Sequence, residues 1–195
     1  MIHCQPICRV SGHDSLGNSL LSMSFAFRDK SALRNRIESR FTHFSMQARW
    51  PTGGCIYIRS TNITGATSVN LLCAKSRVAP VKPLTMPKLK LNAAHFLTRL
   101  VNNIKAALDV NIDFIHYWSD STIVLSWVRM EPHRLQTFVR NRVADIQTQS
   151  SADAWKHVSS SDNPADLLSR GIAPKSLVDS MLWWHGPIWL AEDEE

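Results

Sequence analysis

The chain has 195 residues, 44% of them hydrophobic and 19% charged, enough to bury one proper core and within the usual size of a single domain. No apolar run is long enough to span a bilayer, and the first thirty residues lack the basic start and apolar stretch of a secretory signal. That reading excludes a membrane segment and secretion, and places the chain in the cytoplasm or nucleus. A formal charge of +6 and a pI near 9.4 suit a polyanionic partner.

Residues 1–40 are rich in Ser, Asn, Arg and His, with a short apolar patch from Leu20 to Phe27. They read as a divergent, poorly ordered extension. His3, Cys4, Cys8 and His13 supply zinc-ligating side chains at a spacing that fits no finger or knuckle. With Cys55 and Cys73 the cysteines show no disulfide framework, so reduced thiols are expected. Asn62-Ile63-Thr64 has the pattern of a glycosylation sequon, irrelevant without secretion.

From Phe41 the texture changes. "FTHFSM" reads as a strand, "PTGG" as a turn, and "CIYIRS" alternates as strands do. "SVNLLCAKSRVA" supplies a third strand, and the three form an antiparallel meander. Pro87 suits a first helical turn, and Leu89, Ala93, Phe96, Leu97, Leu100, Val101, Ile104 and Leu108 follow at helical spacing. "IDFIHYWS" reads as a buried strand. Asp120 or Ser121 can cap the next helix, whose Ile123, Val124, Trp127 and Val128 face inward. Helical spacing returns in Leu135, Phe138, Val139, Val143 and Ile146. "AWKHVSS" is a short strand and "NPADLLSRG" a short helix closed by Gly171. Trp118, Trp127 and Trp155 are expected in the core, and His157 as structural. The order β-β-β-α-β-α-α-β-α predicts an α/β sandwich with a mixed sheet over residues 41–190, followed by an acidic tail at 191–195.

Two features bear on chemistry. Between Ser39 and Leu108 there is no Asp or Glu, while ten residues from Arg40 to Lys105 are Lys or Arg; a solvated basic face and a nucleic-acid surface both fit. Asp120 follows a strand and Asp166 opens a helix, each placed to cap or to bind a cation. Carboxylates gathered from distant parts of a chain are how proteins hold paired Mg²⁺ ions. Asp120-Ser121-Thr122 is not read as an aspartic-protease triplet, because that chemistry needs Gly at position 122.

The blocks "AKSRVAPVKPLTMPKLKLNAAHFLTRLV", "YWSDSTIVLSWVR", "FVRNRVADIQ", "WKHVSSSDNPADLLSRG" and "LWWHGPIWL" together resemble the ribonuclease H region of BEL/Pao-type retrotransposon polyproteins, which lies between reverse transcriptase and integrase. The resemblance implies an RNase H-like α/β fold: a five-stranded mixed sheet, three antiparallel strands then parallel additions, flanked by helices. It also implies two Mg²⁺ ions held by four carboxylates and hydrolysis of the RNA strand of an RNA–DNA hybrid. Carried onto this chain, the third and fourth acids match Asp120 and Asp166. The second matches Lys90, and the first matches Met46, or Gln47 with a one-residue slip. The acid-free interval spans both lost positions in any register.

An ammonium ~4 Å from one positive charge costs about 4 kcal/mol at an effective dielectric near 20, unless the lysine swings away on its flexible stem. The expectation is a degenerate RNase H-like domain with Asp120 and Asp166 as remnants. An active nuclease recruiting Asp113, Asp162 or a partner's carboxylates, and a non-enzymatic nucleic-acid or protein interaction module, are the alternatives. The closing Trp183, Trp184, His185 and Trp189 read as packing.

Overall fold

The computed structural model describes residues 22–23, 38–47, 51–78, 84–108, 112–170 and 174–192. The His3, Cys4, Cys8, His13 cluster, Gly171 and most of the expected extension lie outside the described residues. Strands β1 (Ser22–Met23), β2 (Glu38–Gln47), β3 (Pro51–Thr61) and β4 (Thr67–Val78) precede helix α1 (Met86–Ala107). Strand β5 (Phe114–Ser119), helices α2 (Thr122–Arg129) and α3 (Thr137–Gln149), strand β6 (Trp155–His157) and helices α4 (Ala165–Arg170), α5 (Pro174–Val178) and α6 (Met181–His185) follow. No described helix is long and apolar enough to cross a membrane.

One sheet carries the strands in the order β1-β4-β3-β2-β5-β6. It therefore has six strands, not the five expected, because Ser22–Met23 pairs antiparallel with Ala74 and Lys75 of β4 and adds an edge. The meander of β2, β3 and β4 is antiparallel, and β5 and β6 join in parallel, as expected. Strand β2 begins at Glu38 and runs through Arg40 into Phe41 without a break.

Period-two alternation in β3 divides the core between two faces. Ile56 and Ile58 point to one face, with Leu91, Leu97 and Val101 of α1, Val124 and Val128 of α2, and Val143 and Ile146 of α3. Cys55 and Tyr57 point to the other, with Val158, Ala165, Trp183 and Leu190. The register slips between Ile56 and Tyr57, leaving Leu72 of β4 as an extra residue that packs with the helices α1–α3. Such a bulge lets one strand send neighbouring side chains to the same face.

Asn62 closes the β3–β4 hairpin: its Oδ1 accepts from the backbone of Thr64 and Ala66 and from the Thr64 hydroxyl. Gly65 supplies the left-handed φ of +80° that this turn needs. Helix α2 is capped by Ser121, whose Oγ accepts from Val124 N at 3.3 Å. Of the three expected core tryptophans, Trp155 is fully buried and stacks on Tyr117 at 4.7 Å, whereas Trp118 and Trp127 are half-buried. His157 ends β6 with its side chain exposed.

Candidate functional site

The directions of three parallel strands create the site. Ser45 of β2 pairs with Ser119 of β5, which pairs with His157 of β6, so the three strands end together. Met46 and Asp120 therefore follow matched positions on neighbouring strands. Strand β4 runs antiparallel to β3 and hence ends at the same edge, which brings the start of α1 there. The backbone N–H of Val158 donates to Ser119 O at 3.1 Å, extending β6 along β5 before the chain turns back into α4.

Lys90 reaches this edge from the second turn of α1. Its Nζ donates to Asp120 Oδ2 at 2.8 Å, with the lysine side chain 21% exposed and the aspartate side chain 2% exposed. Asp120 Oδ1 is buried with no hydrogen-bond partner among the described residues. The lysine expected to repel a metal ion, or to swing clear of it, instead binds the carboxylate. Sequence reasoning missed that contact because thirty positions separate the two residues and no local pattern links them.

Asp166 is buried in the first turn of α4. Its neighbour Ala165 packs with Tyr57 and Trp183 on the face opposite α1. The local cap was also missed: buried Asn163 accepts from Ala165 N at 3.1 Å through Oδ1, and Asp166 N donates to Asn163 O at 3.0 Å. An Asn two residues before an acidic first turn is the signal that could have found it. Asp113 lies before the opposite end of β5, seven positions from Asp120 and so roughly 20 Å away along an extended strand. It cannot join Asp120. Asp162 sits in the β6–α4 link, half-buried, on the correct side.

The donor set does not suit paired Mg²⁺. Magnesium takes oxygen ligands at about 2.0–2.1 Å, and the Lys90 ammonium already holds Asp120 Oδ2. Lys90 and Met46, at the two positions where the resemblance leads one to expect acids, offer an ammonium and a thioether, neither a ligand for a hard cation. Among the described residues no group of three or more His, Cys, Asp or Glu is placed to hold a metal ion.

A second polar region links α1 and α3. Arg142 Nε donates to Asn92 Oδ1, His95 Nε2 lies 3.1 Å from Asp145 Oδ2, and Asn102 donates to Gln149 at 3.0 Å. The Arg142 guanidinium stacks 3.6 Å from the Phe138 ring centre, with Lys88 Nζ at 5.4 Å. Burial pushes the His95 pKa down despite Asp145, and the nearby Arg99 and Arg142 charges push it the same way.

Residues 27–121 match the family model for the Pao retrotransposon-like RNaseH-like domain. Over this stretch the chain is similar to the Pao RNase H-like family. The match begins at Phe27, ahead of β2, and takes in Met46, Lys90 and Asp120. It stops one residue past Asp120, so Asp166 and the tryptophan-rich end of the chain lie beyond it. No curated protein matches the chain.

Among solved structures, LC11-RNase H1 in complex with RNA/DNA hybrid is similar at 14% identity, covering 72% of this chain and 99% of that one with a TM-score of 0.44. The N-terminal RNase H domain of a Mycobacterium tuberculosis protein, solved as a fusion with maltose-binding protein, is similar at 11% identity, 68% and 92% coverage, and a TM-score of 0.44. RNase H1 from Halobacterium salinarum is similar at 12% identity, 73% and 99% coverage, and a TM-score of 0.34.

Proposed function

We propose that this is a catalytically silent RNase H-like domain of Pao-retrotransposon descent, retaining affinity for RNA–DNA hybrid or other nucleic acid through its basic surface. In this reading Met46, Lys90, Asp120 and Asp166 occupy the four positions where the ancestral enzyme held two Mg²⁺ ions. The ancestral segment lay between reverse transcriptase and integrase and worked inside the cell, with the folded unit ending near residue 190 and the acidic residues beyond it forming a tail. The observation that carries the proposal is the 2.8 Å contact between Lys90 Nζ and Asp120 Oδ2. It places a fixed cation on the oxygen that a metal-dependent hydrolase would need for its ion.

Hydrolysis of a phosphodiester by two metal ions requires anionic ligands that gather both cations and stabilise the charge that develops on attack. A carboxylate neutralised by an ammonium does neither. The Asp113 route to a rebuilt site is closed by its place at the far end of β5, and Asp162 alone would bring one further charge.

The test is cleavage of a labelled RNA–DNA hybrid by the full chain in Mg²⁺ or Mn²⁺, with Asp120→Asn beside it. No turnover above the Asp120→Asn background is expected; robust cleavage that this substitution abolishes would overturn the proposal.

A further inference from the structure

We infer that Lys90 is the resident cation of the Asp120 pocket, so that the ammonium tethered to α1 neutralises the carboxylate and frees the fold from any need for a divalent ion there. This rests on the reading of the site given under Proposed function, and goes past it in assigning the lysine a constructive role: Lys90 completes the site as well as blocking it.

The observations behind it are local. The Asp120 side chain is 2% exposed, and a buried carboxylate without a counter-charge is strongly destabilising. Its Oδ1 has no donor among the described residues, which leaves Lys90 as the described counter-charge. Lys90 donates to Oδ2 at 2.8 Å while keeping about a fifth of its side chain in solvent. Lysine suits this post because its ammonium is a compact point charge on a flexible four-carbon stem. The pair also fastens the second turn of α1 to the end of β5, across the face where Leu91 and Leu97 meet Tyr117.

The consequence is a reciprocal one. With Lys90 present, divalent cation finds Asp120 Oδ2 taken and adds nothing to stability. With the amine removed, both oxygens of a buried carboxylate are open, and a free cation that binds the folded state stabilises it by mass action.

The experiment is thermal unfolding of the full chain in EDTA and in MgCl₂ or MnCl₂, with NaCl matching the ionic strength. The wild-type midpoint should not move with the metal. Lys90→Ala and Lys90→Met, the latter keeping most of the stem, should melt lower in EDTA and gain ~3–6 °C at a metal concentration ten times the dissociation constant. Lys90→Arg, which keeps the charge, should stay insensitive. Adding Asp120→Asn to Lys90→Met should erase the metal response.

If neither neutral variant folds in EDTA, recovery of the fold on adding metal supports the inference and its failure to recover sinks it. The inference is also overturned if the wild type gains as much from metal as Lys90→Met, or if the neutral variants match wild-type stability in EDTA. Hybrid cleavage by the wild type would instead sink the functional reading whatever these midpoints show, and a silent wild type with metal-blind Lys90 variants would sink only this inference.

Discussion

The guanidinium of Arg59, 3% exposed on a central strand of the sheet, donates from Nε to the carbonyl of Leu190 at 3.0 Å across 131 positions of sequence. A second donation reaches Glu192 O at 3.4 Å. The C-terminal segment is therefore part of the core on this face, where Trp189 also meets Trp118 at 4.6 Å between ring centres. Arg59→Leu should lower stability by about 2–4 kcal/mol, because charged hydrogen bonds are lost and buried carbonyls are left unpaired. Urea denaturation measures it; a loss under about 0.5 kcal/mol would show that the segment docks without Arg59.

Gly186 ends α6 with φ of +69°, and a methyl group placed there would meet Leu190 Cδ1 at 2.7 Å. Left-handed backbone disfavours any residue with a Cβ, and the contact adds a steric cost. Gly186→Ala should destabilise by about 1–3 kcal/mol in the same assay. Since Leu190 and Trp183 share one cluster, tryptophan fluorescence should change with it. Unchanged stability would mean that Leu190 yields freely.

His95 gives the fold a pH dependence. Burial and the charges of Arg99 and Arg142 hold its folded pKa below the ordinary value of 6.5, against the pull of Asp145. The unfolded chain then binds a proton that the folded chain resists, so stability falls as pH drops through about 6.5 and levels off below the folded pKa. His95→Gln should flatten that slope in denaturation curves taken between pH 7.5 and 5. A slope that persists in the variant would assign the effect elsewhere.

Placing acids at Met46 and Lys90, the positions proposed to have lost them, reverses the electrostatics of the site. Met46→Asp together with Lys90→Glu should create calorimetrically detectable Mg²⁺ binding that the parent lacks, since hard cations are gathered by carboxylate oxygens. A flat titration would mean that the strand-end position beside Asp120 has been misassigned.

Hybrid affinity, if it rests on phosphate contacts, must weaken steeply with salt, log K falling linearly with log salt concentration. Filter binding between 50 and 300 mM NaCl should show it. Affinity that ignores salt would favour a protein partner for the basic face.

Much of the fold was legible before any coordinates. Alternation in "CIYIRS" marked a two-faced strand, and the spacing of Ala93, Leu97 and Val101 marked the helix that covers one face. Trp155 was expected in the core, with Trp118 and Trp127, from its place within a predicted element, and of the three it alone is fully buried. Legibility failed at the edges of elements. Ser22–Met23 carries no strand pattern of its own, and forms one only because β4 presents an unpaired edge. Leu91 escaped the expected helical face and proved fully buried, since the stripe facing a curved sheet is wider than one strict repeat.

The sequence by itself determined the charge pattern: from Ser39 to Leu108 there is no carboxylate, so α1 and all of β2 after Glu38 carry none. Only the tertiary structure decided which charges meet. Side-chain charge is a property of composition, but its counter-charge is a property of distance, and bringing Lys90 within 2.8 Å of Asp120 required β4, α1 and β5 to meet at one edge of a folded sheet.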